Sequence, residues 1–332
     1  MTTPAFLQLG VVLVFGSWMV IYQYVSVGTL VAFFSYSSAI AFTLRNLGSV
    51  LGETGGAIVA ISRINTILKT PSPVEPVGEG SDGRLEGGIR FKNVGFSYPG
   101  TKNGLEDVSF HVKPGETVAI VGPSGSGKST IVELLLANYD CQSGSVVLDG
   151  RNLTELNPQS VRSQIGTSLQ DVFLFSDTVR RNIKLASTAA TDDEVVTASE
   201  TARIHDTIQG FPEKYDTVIG EKGVDLSGGQ RQLMDLARSF IRKPPILILD
   251  DSLSAVDINT EGEILRELHQ KHQDVTVIII THRLSCCLNA DKILVLENGV
   301  ITDAGIHGEL VKSEGFYRRL WDIQQQMSHE PE

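Results

Sequence analysis

The chain has 332 residues, of which 41% are hydrophobic and 20% charged, and its formal net charge is −11. This length allows two domains. The negative charge argues against a nucleic-acid partner, because phosphate contacts need clustered lysine and arginine side chains. The three cysteines, Cys141, Cys286 and Cys287, are odd in number and form no C-x-x-C pair. We therefore expect reduced thiols rather than a disulfide framework or a zinc site.

The first 44 residues contain no Asp, Glu, Lys, Arg or His. Within them, the stretches Ala5 to Val25 and Val27 to Leu44 are each near the ~20 apolar residues that one membrane-spanning helix needs. The sequence predicts a transmembrane helical hairpin with a tight turn at Ser26 to Gly28. A secretory signal is disfavoured because the basic n-region is missing. A buried hairpin of a soluble protein is the alternative.

Aromatic residues precede the predicted turn, and basic residues follow the second apolar stretch. The aromatic residues are Trp18, Tyr22 and Tyr24, and the basic ones are Arg45, Arg63 and Lys69. Aromatic side chains concentrate at membrane interfaces, and cytoplasmic segments are enriched in Lys and Arg. We therefore expect the turn to face outside and the end of the second helix to face the cytoplasm.

Apolar residues continue at helical spacing from Asn46 to Leu68, which predicts an extension of the second helix into the cytoplasm. The segment Lys69 to Gly88 contains three prolines and five glycines, a composition typical of linkers. The predicted organisation is a membrane hairpin with its extension over residues 1–68, a linker over 69–88 and a second domain over 89–328.

In the second domain, short aliphatic runs alternate with helical patterns. The predicted strands are Val118–Val121, Ile246–Leu249, Val275–Ile280 and Ile293–Leu296, and the predicted helices are Ser129–Ala137, Gly229–Arg242 and Thr260–Lys271. This alternation favours an α/β fold with a largely parallel sheet and helices on its faces.

The segment after the first of these strands reads G-P-S-G-S-G-K-S-T. Its residues are Gly122, Pro123, Ser124, Gly125, Ser126, Gly127, Lys128, Ser129 and Thr130. The spacing is that of a phosphate-binding loop, in which backbone amides at a helix N-terminus wrap the phosphates of a nucleotide. The lysine then reaches the β- and γ-phosphates, and the Ser129 hydroxyl binds Mg²⁺.

Two acids follow the strand Ile246–Leu249. Asp250 at the end of a buried strand is suited to hold Mg²⁺ through water. Asp251 stands where a general base or a water-orienting group is needed. Its alternative role is that of an acid in the site without efficient catalysis.

The segment L-S-G-G-Q-R-Q, Leu226 to Gln232, completes a set of motifs that resembles the nucleotide-binding domain of ATP-binding cassette (ABC) proteins. Ser227 is suited to cap a helix, and Gly228 and Gly229 expose backbone amides at its start. The resemblance implies that this segment, with Gln230, binds ATP held on a second cassette in a head-to-tail dimer. It also implies the cofactors ATP and Mg²⁺ and a mixed sheet core with a helical subdomain over Asp171 to Arg242.

Further roles are implied by the resemblance alone. Tyr98 stacks on adenine, Gln170 contacts Mg²⁺ and the attacking water, Asp257 lies at the dimer seam, and His282 touches the γ-phosphate. The segment Gly220 to Gly223 is similar to a loop that contacts the membrane domain in exporters. In most such exporters a Glu follows the Mg²⁺-binding Asp of the Walker B motif, which is Asp250 here. Heterodimeric exporters often replace that Glu in one of their two ATP sites, which is then called degenerate. Asp251 beside an intact L-S-G-G-Q therefore favours a heterodimer with a second half-transporter, and a slow homodimer is the alternative.

The order of hairpin, helical extension and cassette resembles the C-terminal part of an ABC exporter half, which is its last two membrane helices followed by the cassette. Such a half usually has six membrane helices. Two helices cannot line the usual export pathway, so the chain is expected to be a truncated product, an internal start or a split subunit. The expected location is the plasma (inner) membrane, with the cassette in the cytoplasm and an unidentified exported substrate. A soluble ABC ATPase of ribosomes or DNA is disfavoured by the hairpin, whereas a non-catalytic regulatory subunit stays open through Asp251.

Overall fold

The computed structural model of the chain describes residues 3–70, 83–101, 104–220, 224–271 and 274–329. Most of the predicted linker, and most of the segment Gly220 to Gly223, lie outside these ranges. The chain divides into two compact units, Met1–Ser72 and Pro73–Glu332, and each is described by itself. The domain limits given above stay a prediction.

The first unit is a helical hairpin of α1 (Thr3–Ile21) and α2 (Val27–Lys69). The turn predicted at Ser26 to Gly28 is wrong, because α1 ends at Ile21 and the chain reverses over residues 22–25. Ser26 is the N-cap of α2, and its Oγ accepts a hydrogen bond from the backbone N–H of Thr29 at 3.1 Å. A serine cap starts a helix at the next residue, so Gly28 belongs to the first turn of α2.

The aromatic residues Trp18, Tyr22 and Tyr24 lie together at the end of α1 and in the turn. The ring of Trp18 lies 5.2 Å from that of Tyr22 and 6.1 Å from that of Tyr24, measured between centroids. Among the described residues, α2 is the only helix whose length and composition suffice to cross a membrane, since the apolar part of α1, Phe6–Ile21, is shorter.

Helix α2 is continuous over 43 residues, which confirms the helical extension predicted for Asn46 to Leu68. Four of its glycines have open space around the position that a Cβ atom would take, and they lie close together in the sequence: Gly48, Gly52, Gly55 and Gly56. Glycine lowers helix stability by up to about 1 kcal/mol relative to alanine. This part of α2 is therefore intrinsically less stable than the apolar part before it.

The second unit contains ten strands and nine helices among the residues that the structure describes. The strands are β1 (Ile89–Ser97), β2 (Gly104–Val112), β3 (Thr117–Val121), β4 (Ser143–Leu148), β5 (Arg151–Asn152), β6 (Ile165–Ser168), β7 (Ile246–Asp250), β8 (Thr276–Ile280), β9 (Lys292–Glu297) and β10 (Val300–Gly305). The helices are α3 (Lys128–Leu135), α4 (Pro158–Gln164), α5 (Val179–Lys184), α6 (Asp192–Thr201), α7 (His205–Gln209), α8 (Gly228–Phe240), α9 (Ile258–Lys271), α10 (His307–Leu310) and α11 (Phe316–His329).

Six strands form a central sheet in the order β10-β9-β3-β8-β7-β6, with parallel neighbours from β9 to β6. All residues of β3 and β8 are buried, as in parallel strands covered on both faces. The α/β prediction is confirmed, and the four predicted strands are β3, β7, β8 and β9. The carboxyl ends of β3 and β7 lie at one edge of the sheet, which brings the phosphate loop and Asp250 to the same edge.

A second sheet is antiparallel, with the order β2-β1-β4-β5, and was not predicted. Its strands alternate between buried and exposed residues, and register shifts interrupt β1 on both sides. These bulges break the period of two on which strand prediction depends. Phe91 of β1 stacks on Phe110 of β2 with ring centroids 4.5 Å apart. The sheet carries Tyr98 immediately after β1.

Candidate nucleotide-binding site

A cleft of about 400 Å³ opens at the carboxyl edge of the central sheet. Its walls are Tyr98, Thr101, Gly104, Ser124, Gly125, Gly127, Lys128, Ser129, Thr130, Gln170, Asp250, Asp251 and His282. The structure thus brings together the tyrosine, most of the phosphate loop, Gln170, both acids and the histidine that the sequence singled out. These groups come from distant parts of the chain and meet only through the strand order.

The phosphate loop joins β3 to α3 and depends on glycine at two positions. Gly125 has φ 77° and Gly127 has φ 104°, both in the left-handed region that side chains disfavour. Helix α3 begins at Lys128, so its unpaired backbone amides point towards the loop. The loop also contains Ser126, whose buried Oγ has no hydrogen-bond partner among the described residues. Such a cradle of amides fits a phosphate chain.

Lys128 is folded back onto the loop that precedes it. Its Nζ donates hydrogen bonds to the carbonyl oxygens of Gly122 and Pro123 at 2.8 and 2.9 Å. Burial lowers the pKa of Lys128, while the negative charges of Asp251 and Asp250 oppose that shift. The ammonium group is thus held at the phosphate loop, where it can compensate the negative charge of a bound triphosphate.

Asp250 ends β7 and faces the first turn of α3. The Ser129 Oγ donates to Asp250 Oδ2 at 3.4 Å. Burial is the largest cause that raises the pKa of Asp250, and the like charge of Asp251 is the second. The hydrogen bond from Ser129 and the positive charge of Lys128 lower it. Among the described residues no group of three or more His, Cys, Asp and Glu side chains is arranged to hold a metal. Hydroxyl and carboxylate oxygens together with phosphates nevertheless fit Mg²⁺, which rarely has an all-protein cage.

Asp251 is bound to the loop that carries His282. Its backbone has φ 46°, and its N–H donates to the carbonyl oxygen of Ile280 at 2.8 Å. Asp251 Oδ1 accepts from the backbone N–H of His282 at 3.2 Å, and Oδ2 lies 3.5 Å from Nε2 of the same residue. Both carboxylate oxygens thus face His282, and the side chain of Asp251 is 13% exposed.

Tyr98 belongs to an aromatic cluster at one side of the cleft. Its ring meets Phe96 and Tyr139 edge to face, with centroids 5.0 and 5.4 Å away. Such pairs stabilise a ring orientation by about 0.5–1.5 kcal/mol each. Tyr139 was not identified from the sequence, because nothing near it in the chain marks a contact with residue 98.

The L-S-G-G-Q segment lies outside this cleft. Ser227 and Gln230 form a capping box at the start of α8: Ser227 Oγ accepts from the Gln230 N–H at 3.2 Å, and Gln230 Oε1 accepts from the Ser227 N–H at 3.0 Å. A Cβ atom on Gly229 would come within 2.7 Å of the carbonyl oxygen of Ala255. Gly228 begins the helix. The arrangement leaves a helix N-terminus that this chain's own cleft does not use.

Asp257 caps α9, and its Oδ1 accepts from the backbone N–H of Thr260 at 2.9 Å. That hydrogen bond is the main reason why the pKa of Asp257 is lowered. Asp257 is exposed and does not line the cleft. It is therefore accessible at the surface, as a residue at a dimer seam has to be.

Sequence reasoning missed the polar side chains that brace residues 251–257. Buried Gln232 donates to Ser254 Oγ at 3.0 Å and accepts from the Ala255 N–H at 2.7 Å. Arg283 donates to Glu261 at 3.0 Å and to the Val256 carbonyl oxygen at 3.1 Å. A polar residue inside an otherwise apolar helical face is the available signal for Gln232. The partners, however, are 22 or more positions apart.

The chain is similar to known proteins in sequence and in fold. Residues 105–254 match the family model described as ABC transporter. The chain is 40% identical over 317 residues to the multidrug export ATP-binding/permease protein YgaD of Bacillus subtilis, a provisional designation, which is 95% of this chain and 54% of that protein. It is 40% identical over 325 residues to ATP-binding cassette sub-family B member 6 of Mus musculus, 96% of this chain and 39% of that protein.

A solved bacterial Atm1-family ABC exporter with ATP bound has a similar structure, with a TM-score of 0.77 and 36% sequence identity. The match covers 90% of this chain and 53% of that one. The chain therefore spans about half the length, or less, of the relatives it matches.

Proposed function

We propose that this chain, which carries the nucleotide-binding domain of an ABC transporter, binds ATP with Mg²⁺ and hydrolyses it as one subunit of a membrane exporter. The observation that supports this best is the single cleft that collects the phosphate loop, both acids, Gln170 and His282. Backbone amides and Lys128 can bind phosphates, and hydroxyl, amide and carboxylate oxygens can bind Mg²⁺. The acid beside the histidine can orient a water.

The chemistry assigned to each residue follows from its place. Lys128 and the amides of the loop compensate phosphate charge, and Ser129, Asp250 and Gln170 are the candidate ligands of Mg²⁺, directly or through water. Bound Mg²⁺ would neutralise charge on the phosphates. Asp251 orients the attacking water, His282 contacts the terminal phosphate, and Tyr98 stacks on the base.

A second cassette completes the site in this proposal. Ser227, Gly228, Gly229 and Gln230 form a helix N-terminus outside the chain's own cleft, which suits a phosphate held on a partner. Asp257 would face that partner. We favour a second, different half-transporter, because the short acid Asp251 weakens this chain's own site while its L-S-G-G-Q segment is intact.

The membrane is the second partner in this proposal. Helix α2 is long and apolar enough to cross it, and two of the relatives named above, YgaD and the Atm1-family protein, are exporters or permeases by name. We propose that the cassette lies in the cytoplasm, at the plasma membrane. The exported substrate is not assigned.

A non-catalytic, regulatory nucleotide-binding subunit is the second candidate. The contacts between the two carboxylate oxygens of Asp251 and His282 favour it, because they hold the acid towards the histidine rather than towards a water.

The test uses the full chain in lipid nanodiscs, alone and with a candidate partner subunit. Equilibrium binding of radiolabelled ATP and release of labelled phosphate are measured together. We expect saturable binding that needs Mg²⁺ and slow release of phosphate. Binding without release, in both preparations, would support the regulatory subunit instead. A chain that does not bind ATP would contradict both candidates.

A further inference from the structure

The loop that carries His282 is held from outside the cleft by a single side chain of α11. Gln324 Nε2 donates a hydrogen bond to the carbonyl oxygen of His282 at 2.6 Å. Gln324 Oε1 accepts from the backbone N–H of Leu284 at 3.0 Å. A side-chain amide has one donor end and one acceptor end, so the two contacts together fix its orientation. Gln324 thus forms one donor and one acceptor hydrogen bond with the backbone of this loop.

His282 is therefore bound on both sides of its backbone. Its N–H donates to Asp251 and its carbonyl oxygen accepts from Gln324. The imidazole side chain is 49% exposed, so packing encloses it only in part. These two backbone contacts act together with the contact between the imidazole and Asp251, and Gln324 is the partner among them that α11 supplies.

The helix that supplies Gln324 is itself anchored in the core. Tyr317 of α11 is 1% exposed, and its hydroxyl lies 2.8 Å from Nδ1 of His307. The Trp321 ring packs against the His307 ring with centroids 4.6 Å apart, and Leu320 and Trp321 contact the core. Gln324 thus extends from a fixed element and provides a stable reference for the loop.

We propose that Gln324 is a positioning residue for His282, through which α11 sets the distance between the histidine and a bound terminal phosphate. Gln324 does not line the cleft, so it acts only through the loop. The inference rests on the proposed function, in which His282 contacts that phosphate. A misplacement near 1 Å in such a site costs up to about 100-fold in rate.

The first experiment measures single-turnover ATP hydrolysis by the full chain in nanodiscs, with its partner present and the partner's own site silenced. The variants are Gln324→Ala, which removes both contacts, and Gln324→Glu, which keeps an acceptor for Leu284 but loses the donor to His282. The matched control is Gln326→Ala, the same residue type two positions on, at an exposed site of α11.

We expect both Gln324 variants to lower the rate at saturating ATP about 10-fold and to change the Kd for ATP less than about threefold. We expect Gln326→Ala to stay within about twofold of wild type. A Gln324→Ala enzyme with the wild-type rate would overturn the proposal.

The second experiment repeats Gln324→Ala in a His282→Ala background. If Gln324 acts through His282, its loss costs less than about twofold there, because the group that it positions is already gone. An unchanged 10-fold loss in that background would show that Gln324 only supports the fold and would refute the positioning role.

Hydrogen exchange of the Leu284 amide provides a readout that needs no hydrolysis. We expect faster exchange in Gln324→Ala, and near wild-type exchange in Gln324→Glu and Gln326→Ala. A wild-type chain that hydrolyses no ATP would contradict the proposed function, and the exchange result would still decide whether Gln324 holds this loop. Unchanged exchange of the Leu284 amide in Gln324→Ala would overturn the proposal that Gln324 positions this loop.

Discussion

At the scale of single residues, Lys128 is the group on which nucleotide binding depends most. It is 7% exposed and is held by the carbonyl oxygens of Gly122 and Pro123. Removing a charged partner from a buried phosphate costs on the order of 3–5 kcal/mol. We expect Lys128→Ala to weaken ATP binding at least about 100-fold in equilibrium titrations. The control is Lys312→Ala at an exposed position, which should bind as wild type does. Equal affinities would contradict the assignment of the phosphate loop.

Asp251 supplies the second prediction at this scale. Its carboxylate is one methylene shorter than that of Glu and is tied to His282. We expect Asp251→Glu to raise single-turnover hydrolysis at this chain's own site about 10-fold or more, because the carboxylate reaches the water. We expect Asp251→Asn to stay within a few-fold of wild type.

The partner's site must be silenced in that measurement. A fast wild-type rate that Asn abolishes and Glu fails to raise would show that Asp251 is a competent base. The degenerate-site interpretation would then be wrong.

At the scale of elements, the N-terminus of α8 depends on the capping box of Ser227 and Gln230. Losing such a cap costs about 1 kcal/mol. We expect Ser227→Ala to lower the free energy of unfolding by about that amount in urea, and Ser227→Thr to restore most of it. A Thr variant as unstable as the Ala variant would show that the hydroxyl cap is unimportant here.

The ion pair between α9 and the loop after β8 provides a larger effect. Glu261 is 1% exposed and receives hydrogen bonds from Arg283 at 3.0 Å and Ser285 at 2.8 Å. Removing one partner of a buried pair costs about 3–5 kcal/mol. We expect Glu261→Ala to lower the free energy of unfolding by about 3 kcal/mol, because Arg283 is partly exposed. Glu261→Gln should lower it less, since it keeps the shape and part of the hydrogen bonding. A smaller loss for Ala than for Gln would contradict this account.

Elements differ in how well the sequence reveals them. The aliphatic runs of β3, β7, β8 and β9 are buried on both faces, so their composition alone indicates strands. The strands β1, β2 and β4 are half-exposed, and register shifts in the pairings of β1 with β2 and β4 interrupt the alternation of buried and exposed residues. The turn before α2 lies at residues 22–25, earlier than predicted, because Ser26 already caps the helix.

The residues of the site also differ in how well the sequence reveals them. Motifs with fixed local spacing, such as the phosphate loop and Ser227 to Gln230, are visible in the chain. Contacts between distant positions are not, and they include Tyr98 with Tyr139, Gln232 with Ala255, and Gln324 with His282. These pairs depend on the order of the strands and on the packing of α8 and α11, which no short pattern encodes.

At the scale of the whole molecule, the apolar hairpin predicts attachment to membranes. Side chains such as Phe6, Leu7, Val14 and Ile21 of α1 are each more than 60% exposed, and comparable residues lie along α2. Such a surface is unfavourable in water. We expect the full chain to sediment with membranes and to need detergent for extraction. Removal of residues 1–68 should release a soluble cassette. Full-length protein that stays in the supernatant without detergent would refute the prediction.

Helix α2 has a mechanical consequence. At 1.5 Å per residue its 43 residues form a rod of about 65 Å. The hydrocarbon core of a bilayer is only about 30 Å thick. Counted from Val27, that thickness is used up near Gly48, where the four glycines begin. In a membrane-inserted chain, the remaining ~32 Å of α2 extends beyond the bilayer core. The helix bends most easily where it leaves the core, at the glycines. A tilt of about 10° there would sweep Lys69 sideways by roughly 5–6 Å, the length of one helical turn.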